Sequence, residues 1–444
     1  MENILVNTPC GAVEGTSDGR VRRFLGIRYA TAGRWEYPVE VTHWDGVYQA
    51  HDFGAAPIQQ RSYIDAESHQ KKHHFHREFM EGINPTYDED CFFLNIWTPE
   101  QCENCPVLVV IYGGGNVSGQ SDEKEFDGSD FATRGVIVVT LNYRVNIFGF
   151  MAMKELEDES GRSGNYGLYD QQMAFQWILH NIAAFGGDPG KMTLIGQSAG
   201  AANAENQIKS PINRGIFQGA ILQSSAGFAT VTKAKDNREV VYKTWTEVYA
   251  HSGCKSIEEF KKLPAKQLID LWVSVSQGNF VPYAQVVADE YYGTPDKNNP
   301  CNTNIICSVT SQDTMPILFY WLCKILAKKQ WGSANTYCYL FQRQLPGDDL
   351  GAWHSSDLWY TYGALEKCWR PFGEADRALS NTMMDYFANF IKTGDPNGEG
   401  LPLWEPYTKK SKRFMIFDIG KCHMGYPSAA KLLKDTILYK GPRG

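Results

Sequence analysis

The pentapeptide Gly196-Gln197-Ser198-Ala199-Gly200 puts a serine hydroxyl between two glycines, directly after a strand-like run at 192–195 and before helix-forming residues 201–205. Strand, sharp turn and helix are the setting in which a G-x-S-x-G serine becomes a nucleophile. The turn strains the serine backbone and leaves no room for side chains at neighbouring positions. The helix N-terminus behind it adds partial positive charge beside a developing oxyanion. A second element, Tyr112-Gly113-Gly114-Gly115-Asn116, follows another apolar run. Bare glycine backbone there brings N–H groups to a substrate oxygen, whereas a phosphate-binding loop would carry Gly-Lys-Ser/Thr. The pattern predicts oxyanion donors at Gly114 and Gly115, joined by the N–H of Ala199.

These pieces need a scaffold. Short, apolar, β-branched runs at 107–112, 136–141, 192–195, 220–222 and 337–341 read as buried strands. Between them, 169–182 sets Met173, Ala174, Trp177, Ile178 and Ile182 on one helical face. Such alternation predicts an α/β fold, a mostly parallel sheet flanked by helices. No linker divides the 444 residues, so one domain spanning 1–444 is expected, with polar, less regular insertions at about 60–88 and 226–302 that shape a pocket.

Composition narrows the partners. The chain has 43 basic and 50 acidic residues, net −7, with no basic block, which argues against nucleic acid. No apolar run reaches the roughly 18 residues of a membrane span. The first residues lack a secretory pattern, so a cytoplasmic location is the expectation. Eleven cysteines, an odd number scattered through the chain, read as mostly reduced buried thiols and not as a disulfide framework, and Cys102 and Cys105 as a loop C-x-x-C with no second pair to complete a zinc site. His69, His73, His74 and His76 crowd one polar segment. Two of them are spaced for a shared helix face, but nothing orients a carboxylate or thiolate to finish a metal shell, and a solvated loop or lid is expected there.

Further motifs stand in order along the chain: Gly26-Ile27-Arg28-Tyr29-Ala30, Glu89-Asp90-Cys91-Phe92-Phe93-Leu94-Asn95-Ile96-Trp97, Asn142-Tyr143-Arg144, Asn165-Tyr166-Gly167-Leu168-Tyr169-Asp170-Gln171, Phe185-Gly186-Gly187-Asp188-Pro189 and Thr393-Gly394-Asp395-Pro396-Asn397. With the glycine loop and the serine turn, they make the sequence resemble the type-B carboxylesterases, which include bacterial para-nitrobenzyl esterases and cholinesterases. The resemblance implies an α/β-hydrolase fold and hydrolysis of small-molecule carboxylic esters through an acyl-enzyme, with no metal or organic cofactor. In that fold the acid and the histidine follow the serine along the chain. Of the downstream histidines, His251, His354 and His423, only His354 follows a strand across a loop, and His354-Ser355-Ser356-Asp357 is similar to the family's His-Gly-x-Glu. The family's acid segment corresponds to Ser308-Val309-Thr310-Ser311-Gln312-Asp313-Thr314, where Asp313 stands in place of a Glu; Asp348 and Asp349 are the rivals.

Several positions depart from the family. Gln197 replaces the Glu that precedes the nucleophile in cholinesterase-like members, which weakens the case for cationic esters. Cys91 lacks the family's upstream disulfide partner. Asn116 stands where an aromatic is usual and either presents its amide to the acyl group or satisfies the loop, so the Asn116-Val117-Ser118 sequon reads as active-site loop. Glu89 and Arg144 match a structural ion pair of the family. Trp353, Trp359, Tyr360 and Tyr362 surround the base in sequence and are expected to line a pocket for bulky or aryl esters. Hydroxycinnamoyl (feruloyl-type) esterase and a non-catalytic cholinesterase-like binding module are the alternative readings. The sequence does not set the oligomeric state.

Overall fold

In the computed structural model, which describes residues 1–63, 74–159, 161–231, 237–293 and 302–438, the apolar runs pair side by side into one sheet. Its strands are β1 (Glu2–Thr8), β2 (Gly11–Ser17), β3 (Val21–Arg28), β4 (Phe93–Pro99), β5 (Cys105–Ile111), β6 (Ile137–Leu141), β7 (Gly187–Gln197), β8 (Phe217–Gln223), β9 (Asn304–Thr310), β10 (Thr336–Phe341), β11 (Phe414–Phe417) and β12 (His423–Gly425), besides a short strand at Val47–Gln49 that pairs in parallel beside β2. They lie in the order β1-β2-β3-β4-β6-β5-β7-β8-β9-β10-β11-β12. From β6 to β11 neighbours are parallel, and the outer strands are antiparallel. Parallel strands buried on both faces carry continuous Val/Ile/Leu runs, which is why β5 and β6 are legible as buried strands.

Register aligns the exits. Ile111 pairs with Gly196, Gln197 with Gln223, Gln223 with Ser308, and Thr310 with Phe341. The four loops that follow β5, β7, β9 and β10 therefore leave from the same carboxyl edge of the sheet, where ligands bind in open α/β folds. Helices α1 (Tyr166–Asn181), α2 (Ala199–Lys209), α5 (Pro316–Lys329) and α6 (Glu374–Thr393) flank the sheet, α2 against β5, β7 and β8 and α5 against β9 and β10.

The stretch 226–302 is more ordered than its polarity predicts. Its described part holds α3 (Arg238–His251) and α4 (Ala265–Ser276). Val241, Trp245 and Val248 of α3 and Leu268, Ile269 and Trp272 of α4 are buried together with Phe260, Trp35, Ile147 and Phe148 in a second apolar cluster. Spacing of four and three puts each set on one helical face. Truncating a buried tryptophan there costs about 3–5 kcal/mol.

Other expectations need correction. Glu89 pairs with Arg34 (Nε to Oε2, 2.7 Å), while Arg144 reaches across to Asp170 of α1 with Nε and Nη2 at 2.9 and 2.7 Å. The buried guanidinium takes the carboxylate that can meet both of its N–H edges. Cys102 and Cys105 are joined as a disulfide at the turn entering β5, with Cα atoms 5.9 Å apart, while Cys91 is buried and free. Trp353, Trp359, Tyr360 and Tyr362 belong to the main core and do not line an open pocket. Trp353 packs edge-on to His74 and Phe75, Tyr360 meets Phe341 and Phe372, and Tyr362 meets Phe126 and Phe131. Among the described residues no helix is long and apolar enough to cross a membrane.

Candidate active site

Ser198 sits between the end of β7 and the start of α2 with φ +56° and ψ −128°. Its N–H bonds to Gln223 O at 2.9 Å, carrying the sheet ladder into the turn, and its carbonyl accepts from Ala201 and Ala202 to start the helix. Both flanking glycines are required by space. A Cβ at Gly196 would lie 2.3 Å from Gly200 O, and one at Gly200 would lie 2.2 Å from Ile111 O. The helix thus packs directly on the backbone of β5, which sets the serine beside the glycine loop.

That loop turns through three successive left-handed residues, Gly114 (φ +100°), Gly115 (φ +66°) and Asn116 (φ +60°). Gly114 O accepts from Val117 and Ser118, closing the turn. The N–H groups of Gly114, Gly115 and Ala199 meet no protein acceptor among the described residues. The Asn116 side chain, nearly buried, accepts from Asn203 Nδ2 (2.8 Å) and donates to Ala284 O (3.3 Å). Of the two roles left open for it, satisfying the scaffold is the one this geometry provides.

Asp313 and His354 come together from the loops after β9 and β10, with Asp313 Oδ1 2.6 Å from His354 Nδ1. Asp313 is fully buried and accepts four further hydrogen bonds, from the N–H and hydroxyl of Thr310 and of Thr314. Burial by itself pushes its carboxyl up, but the charge and hydrogen bond of His354 outweigh burial and hold it below the usual carboxylate value. His354 responds in the opposite sense. Burial lowers its proton affinity, and the charges of Asp313 and of Asp357 with the Asp313 hydrogen bond overcome that, leaving it raised. The two loops are stitched by Gln312, whose N–H bonds to Ala352 O (3.0 Å) and whose Oε1 accepts from Ala352 N–H (2.8 Å).

The rivals lie elsewhere. Asp348 is paired with Arg370 at 2.6 Å, His251 is exposed on α3, and His423 is exposed on β12. His69 and His73 fall outside the described residues. His74 does gather with Glu78 and Asp348, and Arg370 bonds to both carboxylates, so part of the charge of this donor set is already met by a guanidinium.

Sequence reasoning missed several neighbours of the histidine. Gln197 Nε2 lies 3.2 Å from His354 Nε2, and no hydrogen bond joins Ser198 Oγ to His354 among the described residues. The Phe319 ring faces the imidazole with centroids 6.2 Å apart. Asp357, lifted to about 6 by burial, accepts from Tyr339 OH (2.8 Å) and Gln223 Nε2 (3.1 Å) beneath the site. Of these, Asp357 has a sequence signal in its place in the His-Gly-x-Glu-like stretch, and Gln197 in its place before the nucleophile, though not for its contact with His354. Joined loops with a buried Asp–His pair, a serine on a strained turn and unbonded backbone donors on one edge suit nucleophilic acyl transfer chemically.

Known proteins resemble this chain in sequence and fold. The carboxylesterase family model matches residues 2–331 and 310–434. Bile salt-activated lipase of Bos taurus is 30% identical over 92% of this chain and 83% of its own length. Fumonisin B1 esterase of Sphingopyxis macrogoltabida is 38% identical over 52% of this chain and 42% of its own length. Among solved structures, a PNB esterase superposes with a TM-score of 0.81 at 23% identity, covering 97% of this chain and 99% of the other. An esterase from Clostridium hathewayi gives 0.80 at 24% identity, with 98% of each chain covered. The α/β-hydrolase fold is shared with these structures. The chain belongs to the carboxylesterase family and is a carboxylic ester hydrolase.

Proposed function

We propose that Ser198, His354 and Asp313 form the catalytic triad of this esterase, in a single α/β-hydrolase unit, and that Gly114, Gly115 and Ala199 form its oxyanion hole. The observation that carries the reading is the 2.6 Å contact between Asp313 and His354 Nδ1, made on the sheet edge that also presents Ser198. With Nδ1–H directed to Asp313, Nε2 is the ring's lone-pair nitrogen and faces the serine side. Ser198 Oγ gives its proton to Nε2 and attacks the ester carbonyl, and the three backbone N–H groups receive the tetrahedral oxyanion. The imidazolium returns its proton to the departing alcohol. Water then enters, loses a proton to the same nitrogen and attacks the acyl carbonyl; the imidazolium returns that proton to Ser198 Oγ as the C–O bond breaks and the acid is released. Asp313 stays ionised throughout and stabilises the transient imidazolium.

The substrates are read as small-molecule esters of broad range. The rings of Trp353, Trp359, Tyr360 and Tyr362 give no support to an aryl pocket, because they are packed in the core. Initial rates on para-nitrophenyl esters from acetate to octanoate, together with methyl ferulate, test the reading beside Ser198→Ala. Hydrolysis by the wild type and a loss of several orders of magnitude in the variant are expected. Equal inertness of two folded proteins would instead favour a binding role.

A further inference from the structure

We infer that Gln197 is a positioning residue for the base: its side-chain amide donates to Nε2 of His354 in the resting enzyme and holds the ring in the lone-pair tautomer until Ser198 takes over that contact. The inference rests on His354 being the base proposed above. Gln197 Nε2 is 3.2 Å from His354 Nε2, and the opposite ring nitrogen is committed to Asp313 at 2.6 Å. Nδ1 therefore carries the ring proton of the neutral form, and Nε2 can only accept. An amide NH2 is the partner that suits an accepting nitrogen.

The amide is held where it is. Gln197 ends β7 and is only 5% exposed. A Cβ on Gly113 would lie 3.1 Å from Gln197 Oε1, 2.7 Å from its backbone O and 3.2 Å from Ser198 Cβ, so the side chain fills the space between the glycine loop and the base. The charged groups facing His354 are Asp313, from the loop after β9, and Asp357, from the turn that follows the histidine itself. From α5 it meets the uncharged Phe319 ring. Both carboxylates favour the protonated ring, and the Gln197 donor favours the neutral one. A glutamate at this position could only accept, so it would call for a proton on Nε2 and add a third negative charge. Gln197 thus keeps part of the base population able to take the serine proton at lower pH.

The test combines kinetics with a direct view of the ring. The kcat/KM for para-nitrophenyl acetate is followed against pH for wild type, Gln197→Glu and the near-isosteric Gln197→Met. The ring nitrogens of His354 are followed by NMR in protein labelled with 15N-histidine, the signals being assigned by their loss in His354→Gln. The acid limb and the imidazole titration are expected to move up by about one pH unit in Gln197→Glu, a tenfold deeper deficit below the limb than above it. In Gln197→Met they move up by a smaller step. Variants whose deficit is the same at every pH, with an unmoved imidazole titration, would overturn the proposal. The wild-type spectrum decides independently of any variant's folding: above the titration, an Nδ1–H ring with a bare Nε2 is expected, and a proton on Nε2 would overturn it. Retained hydrolysis in Ser198→Ala would defeat the triad reading but leave the NMR arm to judge the Gln197–His354 contact.

Discussion

The carboxyl edge of the sheet and the stretch over 238–293, which carries α3 and α4, are held in different ways. At the sheet edge, backbone register does most of the placing: four strand ends are aligned by ladder pairing, Gly114, Ser198 and Asp313 follow within a few residues of theirs, and the longer loop that carries His354 is brought back by the Gln312–Ala352 bonds. The helical stretch is tied down by side chains. Asn165 bonds Val287 O, Val287 N–H and Asp289, Asn116 bonds Ala284 O, and Arg34 bonds the carbonyls of Lys261 and Leu263. Backbone pairing resists single substitutions, whereas a stretch seated on an apolar cluster and oriented by a few polar side chains can be retuned one residue at a time. Catalysis should therefore depend steeply on the edge, and substrate range on the ties.

The steepest break is Asp313→Asn. An amide keeps the shape but no longer fixes the tautomer or stabilises imidazolium, so kcat is expected to fall by about 10³–10⁴ with little change in unfolding temperature. The pH profile sharpens the point. His354 must be neutral to act, and its proton affinity is raised chiefly by Asp313 against the pull of burial. Wild-type activity is thus expected to fall as pH drops through a value above the 6.5 of free histidine, and the residual activity of Asp313→Asn to persist to lower pH.

Gly351→Ala comes next. A Cβ there would sit 1.5 Å from Gln312 Oε1, at a residue with φ +76°, so the stitch between the acid and base loops must open. A loss of about 10- to 100-fold in kcat/KM and about 1–3 kcal/mol in stability is expected from ester assays and denaturant unfolding. Asn165→Gly probes the other region. It keeps the left-handed backbone (φ +54°) and deletes the bonds to Val287 and Asp289. KM for the longest acyl chain is expected to rise about threefold to tenfold, with kcat on acetate changed far less. An equal fall in kcat across the series would erase the distinction between the two regions.

The smallest effect is expected at Glu125, fully buried beyond the glycine loop and pushed well above the usual carboxylate value, first by burial and then by the Glu123 charge. The folded protein keeps a proton that the unfolded chain releases, so stability is lost as pH rises above the ordinary glutamate value. Glu125→Gln removes that dependence. Its advantage over wild type should grow between about pH 5 and pH 8 to about 1 kcal/mol, as read by urea unfolding at each pH.

The same contrast explains what could be read in the sequence. Ser198, the glycine loop and Asp313 are legible as candidates because each lies just beyond an apolar run that forms a strand, and strand ends are marked locally; His354, farther past β10, is legible by its order along the chain and its family-like stretch. Gln197 was noticed as a departure, but its contact with His354 joins residues 157 positions apart and leaves no local trace. The aromatic residues around the base do not line a pocket because nearness along the chain does not fix direction: Trp353 points into the core, and the turn and short helix after His354 send Trp359, Tyr360 and Tyr362 there too. The Glu89 and Arg144 pairing failed for a related reason, since partner choice depends on which carboxylate geometry a buried guanidinium meets. Helix α3 is hidden because only one face of it is apolar, and α4 because its apolar run stands alone in a stretch that is polar around it.

The most direct test of the central claim is covalent capture of the serine. The protein would be treated with diethyl para-nitrophenyl phosphate, a mimic of the tetrahedral intermediate, and examined by intact mass and peptide mapping, alongside Ser198→Ala and Asp313→Asn. The account predicts one diethylphosphoryl group per chain on Ser198, none on Ser198→Ala, slow labelling of Asp313→Asn, and loss of ester hydrolysis in proportion to labelling. Stoichiometric labelling at another residue, or full hydrolysis by protein labelled at Ser198, would contradict it.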